Sequence, residues 1–219
     1  MNILSDSFSY AFRGSGKYML IIGAVLSVVS SVASIAPIFG LFAYIFLSGY
    51  FCATYFSIIE STAVGDSEAP SFPDVSNVGE DLLWPMVKVV LVAVFAFFPL
   101  VLYTFFIQPG NPTIGLLLLL GGIIYFPMAI LSVAVLGYLG AMSPHIVIPG
   151  IFKMGWRYWL AVVLLYLIYS LQGFVSNALQ GNIILGTLIM GLIGMYVLMT
   201  GGRILGLIYK EREEQLGWL

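Results

Sequence analysis

Chemistry in this chain would have to run through few side chains: His145, Cys52, a serine run and ten carboxylates. The only histidine lies in "SPHIVIPGIFKMGWRYW" (Ser143–Trp159), among two prolines, two cations and two tryptophans. A ligand or proton-relay histidine needs a second His, a Cys or a carboxylate close by. The segment has none, so His145 reads as a neutral interfacial side chain. Cys52 sits inside an apolar run; a lone cysteine excludes an intramolecular disulfide and reads as a small buried side chain. The serines of "SVVSSVAS" (27–34) form no nucleophile motif. With Gly23 they make a small-residue stripe that lets helices approach closely, as do Gly186, Gly191, Gly194, Gly201, Gly202 and Gly206 near the other end. Carboxylates gather at Glu60, Asp66, Glu68, Asp74, Glu80 and Asp81. A cluster of that kind could take a divalent cation, but no loop-specific ligand spacing is present, and a solvated acidic loop is the expectation. No hydrolase elbow, phosphate loop, spaced histidine pair or carboxylate dyad occurs. The expectation is a non-enzymatic protein with no catalytic residue, no cofactor and no metal site.

Composition points to the elements that carry these residues. The chain is 61% hydrophobic and 8% charged, against about 25% charged residues in a soluble domain. Runs such as "LVAVFAFFPLVLYTFFI" (Leu91–Ile107) meet the roughly 20 residues needed to cross hydrocarbon. Proline and glycine punctuation divides the chain into six apolar spans: Tyr18–Ile35, Ile38–Ile59, Pro85–Ile107, Thr113–Ala141, Tyr158–Val175 and Ile183–Leu205. The chain resumes after Pro37 with a second apolar run, so the first span reads as half of a helical hairpin and not as a cleaved signal peptide. The expected fold is all-α: a polytopic membrane protein with six transmembrane helices as three hairpins. The expected segments are an interfacial helix (1–17), hairpin one (18–59), an acidic cytoplasmic loop (60–84), hairpin two (85–141), an elbow (142–157), hairpin three (158–205) and a cytoplasmic tail (206–219).

Orientation follows from the cations. With six crossings and the N-terminus inside, Arg13, Lys17, Lys88, Lys153, Arg157, Arg203, Lys210 and Arg212 all fall on the cytoplasmic side. Cytoplasmic loops retain Lys and Arg, while carboxylates contribute little to the orientation. The chain is therefore expected N-in and C-in, in a bacterial inner membrane. No basic stripe suggests nucleic acid.

The elbow segment has a twin. "AFRGSGKYML" (Ala11–Leu20) and "IFKMGWRYWL" (Ile151–Leu160) match at Phe12/Phe152, Arg13/Lys153, Lys17/Arg157, Tyr18/Tyr158 and Leu20/Leu160. A weaker echo, Leu83, Lys88 and Leu91, opens the third span. Upstream of the first copy, Ile3, Leu4, Phe8, Ala11 and Phe12 share one helical face opposite Ser5, Asp6 and Ser9. Such a helix lies along the bilayer surface with its apolar side among acyl chains. Pro144 suits the first turn of a second surface helix, which Pro149 and Gly150 would bend. Phe12, Arg13, Lys17, Tyr18, Trp84, Phe152, Lys153, Trp156, Arg157, Tyr158 and Trp159 are the expected interface anchors, with the cations reaching anionic lipid phosphates.

Two further features bear on function. Pro99 and Pro127 fall near mid-span on consecutive helices, and broken helices build substrate sites in transporters; neighbours also satisfy prolines in ordinary membrane helices. "FAYIFLSGYFCATYF" (42–56) packs seven aromatics into 15 residues and could line a path for an apolar ligand.

The amphipathic start ending in Arg13–Tyr18, the "FPD" loop (Phe72–Asp74), the elbow and "GRILGLIYKEREEQLGW" (Gly202–Trp218) resemble bacterial multi-pass membrane proteins catalogued as domains of unknown function, loosely similar to Yip-type membrane proteins. For Yip-type proteins the resemblance implies membrane organisation or trafficking; it carries over no catalytic residue. The expectation is a scaffold or membrane organiser acting through its charged cytoplasmic face, with a membrane-protein partner or a second copy of itself. The alternative is a small channel or transporter for an apolar or lipid-like solute, built on the proline-broken third and fourth helices.

Overall fold

The computed structural model describes residues 3–73, 76–107, 110–178 and 183–218. Its regular elements are helical: α1 (Ile3–Tyr10), α2 (Gly16–Ala33), α3 (Pro37–Val64), α4 (Trp84–Phe106), α5 (Pro112–Leu136), α6 (Pro144–Met154), α7 (Trp156–Ala178) and α8 (Ile183–Leu216). Among the described residues six helices, α2 to α5, α7 and α8, are long and apolar enough to cross a membrane. That is the build of an integral membrane protein.

Local chemistry sets the helix ends. Proline stands at the first turn of α3, α5 and α6, where no intrahelical N–H is needed. Asn111 caps α5 by accepting the Thr113 N–H at 2.9 Å. α3 stops at Gly65 and α5 at Gly137, both left-handed, with φ of 107° and 77°. Gly137 ends the fourth span before the expected Ala141. Beyond it a 3₁₀ turn, Leu139–Met142, folds back along α5. Ser132 donates to the Ala141 carbonyl at 2.8 Å and Tyr125 to the Met142 carbonyl at 2.5 Å. α6 continues through Pro149 as one helix. α8 runs past the expected Leu205 to Leu216 because its last turns are held: Arg157 pairs with Glu211, and Lys153 donates to the Leu216 carbonyl at 3.2 Å.

α8 is the hub. One core cluster joins it to α3, α5, α6 and α7 around Met128, Ile130, Leu131, Tyr158 and Tyr209, and another joins it to α1, α2 and α3 around Tyr10, Met19, Ile58 and Met195. The glycines on α8 make these approaches possible. A Cβ at Gly191 would stand 2.8 Å from Ser27 Cβ and 2.9 Å from Ala24 Cα; one at Gly206 would stand 2.5 Å from Thr62 Cβ. Gly191→Leu and Gly206→Leu should each destabilise the protein by about 1–3 kcal/mol through overpacking. Gly121→Ala and Gly173→Ala, where a Cβ meets nothing within 4 Å, should be neutral or slightly stabilising. Denaturation in mixed micelles measures all four.

The segment after α3 is tied down at its start. Ser15 donates to the carbonyls of Ala69 (2.7 Å) and Pro70 (3.1 Å), and Tyr10 to that of Glu68 (3.3 Å). Asp74 lies outside the described residues. A π-helical turn, Gly79–Leu83, then seats Leu82 fully buried against Gly49, halfway along α3.

Candidate functional site

Five helices line a half-open apolar cavity of about 430 Å³. α3 supplies Phe51, Cys52 and Tyr55; α4 supplies Val89 and Phe97; α5 supplies Ile123, Phe126 and Pro127; α7 supplies Val162, Leu165, Tyr166 and Tyr169; α8 supplies Leu198. The spacing explains the wall. Residues 123, 126 and 127 share one face of α5, and 162, 165, 166 and 169 share one face of α7. Six aromatic rings line the space. Tyr166 and Tyr169 are about half exposed at its edge, beside solvent in isolation and beside hydrocarbon in a bilayer.

Two local features shape the cavity wall. Pro127 removes a backbone N–H and leaves the Ile123 carbonyl without its helical partner. The next carbonyl, Ile124, accepts the Tyr158 hydroxyl. Opposite, Gly201 and Gly202 let tyrosines close over α8. A Cβ at Gly201 would lie 3.2 Å from Leu165 Cδ2 and 3.7 Å from Tyr169 Oη, and one at Gly202 would lie 3.3 Å from Tyr55 Cδ2. Tyr55 and Tyr169 reach this space from α3 and α7. The lining is otherwise apolar. The site can hold a hydrophobic molecule; it offers no nucleophile–base pair.

The expected residues divide around this site. Pro127 lines the cavity, while Pro99, inside α4, is exposed and stands apart from it. Phe12, Tyr18, Trp84, Phe152, Trp156 and Trp159 are exposed. Tyr158 departs from the expected headgroup position: it is 0% exposed, a core ring whose hydroxyl is taken by Ile124. Its sequence twin, Tyr18, is 55% exposed and has Lys17 Nζ 5.2 Å from its ring centre. Arg13, Lys153 and Arg157 are engaged within the chain, with Asp6, Leu216 and Glu211. His145 is exposed, its Nε2 3.4 Å from Ser143 Oγ. Among the described residues no group of three or more His, Cys, Asp or Glu could hold a metal ion.

A buried ionic knot went unread in the sequence. Arg203, 2% exposed, reaches Asp6 Oδ2 through Nε at 2.9 Å and Nη2 at 2.8 Å. Arg13 Nη1 takes the other carboxylate oxygen at 2.5 Å. Arg203 Nη1 also donates to Thr62 Oγ1 at 3.3 Å and to the Asp66 carbonyl, and its guanidinium lies 4.7 Å from the Tyr10 ring centre. The amphipathic first helix thus turns Asp6, Ser7 and Tyr10 inward and leaves Phe8 and Phe12 exposed. The signal was available: an arginine inside an apolar run is costly unless paired. Its partner, 197 residues earlier, carries no local mark.

Burial raises the Asp6 carboxyl, but the hydrogen bonds and charges of Arg13 and Arg203 outweigh it and hold the group below its ordinary value of 3.8. A depressed carboxylate adds stability that is complete above the unfolded value, about 3.9, and lost as pH falls through the lower folded value. Hydrogen exchange over residues 3–13 should therefore speed up below about pH 4, and this acid response should vanish in Asp6→Asn.

No family model matches the chain, and no curated protein or solved structure is similar to it.

Proposed function

We propose that this protein draws an apolar, lipid-like solute out of the hydrocarbon layer into the cavity between α3, α4, α5, α7 and α8, and serves as a small carrier or channel for it. The cavity carries this reading. Its volume falls within the 300–1,000 Å³ common for ligand pockets. It lies among membrane-length helices, beside the proline inside α5, and has half-exposed tyrosines at its edge. In this reading the helices form three hairpins that cross a bacterial inner membrane six times, N-in and C-in, with α1 and α6 as surface elbows resting on anionic lipid. The kinship with multi-pass proteins loosely similar to Yip-type proteins belongs to the same proposal. Reporter fusions at Gly110 should read outside, and those at Ser76 and after Leu219 inside; an outside signal at Ser76 contradicts this orientation.

A second reading is a scaffold that docks a partner through its inner face. It is favoured by the last turns of α8, where Lys210, Glu211 and Glu214 are exposed. It has less to work with, because Arg13, Lys153, Arg157 and Arg203 are engaged within the chain.

Photo-crosslinking separates the two. A palmitate analogue with a mid-chain diazirine, reconstituted with the protein in liposomes, should label Phe51–Tyr55 and Val162–Tyr169. Excess unlabelled palmitate should compete. Labelling that does not saturate, or that spreads evenly over the lipid-facing helices, contradicts a bound solute and leaves the scaffold.

A further inference from the structure

A second apolar space, a half-open groove of about 680 Å³, runs between α2 and α3 under the π-helical turn Gly79–Leu83. It shares no lining residue with the cavity. Leu82 closes one end, fully buried against Gly49. From there the groove follows Leu26 and Leu47 to Val29 and Phe42, toward the connection between the two helices. Its lining is apolar except for Ser30 and carries no charge. Both helices are long and apolar enough to cross a membrane, so in a bilayer the exposed rims at Val29 and Phe42 face acyl chains.

The turn that closes the groove also carries charge. Glu80 is exposed and Asp81 half-buried, and Asp81 accepts the Asn77 N–H at 2.9 Å, next to Val78 of the groove wall. Among the described residues neither carboxylate pairs with a Lys or Arg. Trp84, exposed, opens α4 directly after the turn, and indole rings favour headgroup level. Space for a chain and a seat for a cation thus meet at one turn. Anionic headgroups are repelled there, whereas a primary ammonium donates charge-assisted hydrogen bonds to the carboxylates.

We propose that this groove seats one acyl chain of an aminophospholipid whose ammonium rests on Glu80 and Asp81. The chain lies along α2 and α3, and the headgroup stays on the side of the loop between α3 and α4. The site is separate from the solute cavity and does not depend on it.

The test is native mass spectrometry of the full-length protein in mild detergent, titrated with dioleoyl phosphatidylethanolamine or dioleoyl phosphatidylglycerol. Wild type should hold phosphatidylethanolamine about tenfold more tightly, the gain of one hydrogen bond between charged groups. Glu80→Gln with Asp81→Asn should erase that preference; Asn at 81 still accepts the Asn77 N–H, so the turn is kept. Ala43→Trp, which projects an indole into the groove, should weaken the binding of both lipids. Cys52→Trp, in the separate cavity, should keep the preference. Equal binding of the two lipids by wild type means annular lipid only and overturns the proposal. So does a preference that survives the loss of both carboxylates, or undiminished phosphatidylethanolamine binding in Ala43→Trp.

Discussion

Arg203→Met destabilises the protein by about 3–5 kcal/mol, because it takes the buried one of two cationic partners from a buried carboxylate. Asp6 and Arg203 are both nearly inaccessible, and the guanidinium also serves Thr62 and the Asp66 carbonyl. Removing it leaves Asp6 with Arg13 alone and two further acceptors without their donor. The double variant Asp6→Asn, Arg203→Met should be clearly less destabilised than the sum of its parts, since the charge penalty disappears with the charge. Unfolding in mixed micelles gives the energies. Tryptic cleavage after Arg13 should be faster in Arg203→Met than in wild type, because Asp6 and Tyr10 hold the first helix against α8. Additive losses would mean that the ionic contact contributes nothing specific.

Pro127→Ala should lower solute binding at least tenfold, and Pro99→Ala should leave it unchanged. Alanine at 127 restores the N–H for the Ile123 carbonyl and removes the ring that crowds that turn. Ile123 and Phe126, both in the cavity wall, move with it, and the Tyr158 bond to Ile124 loses its geometry. Pro99 is exposed on α4 and outside the wall, so the same change there should alter only the helix. Both variants should accumulate normally, since alanine suits a membrane helix. The measurement is competed palmitate-analogue labelling at matched abundance. Equal loss in both would mean that the prolines act through general packing.

These residues also show what hydropathy and punctuation reveal. Six spans, the proline start of α6, and the small-residue contacts of α8 could be read directly, because each follows from local chemistry; Pro37 and Pro112, read as punctuation, open α3 and α5. The end of α5 could not: "VAVLGYLGA" continues the apolar run, and only the left-handed backbone at Gly137 stops the helix. The full length of α8 depended on Lys153 and Arg157, remote in sequence. The repeat pairing of Tyr18 with Tyr158 was visible, yet one ring is exposed and the other is core. Only the α3 side of the cavity and Pro127 were legible, in the aromatic run and the mid-span proline. The α7 wall was not, because a helix apolar on every side shows no contrast to mark the face that lines a space.

The most direct measurement is native mass spectrometry of the protein extracted from its membrane in mild detergent, beside Cys52→Trp prepared identically. The indole would project into a cavity lined by the chain's only cysteine without touching the Asp6–Arg203 knot. Wild type should retain one apolar molecule at near-stoichiometric occupancy, and Cys52→Trp should lose it while remaining folded. Equal retention by both, or no adduct on wild type under conditions that preserve annular lipid, would contradict a solute site in this cavity.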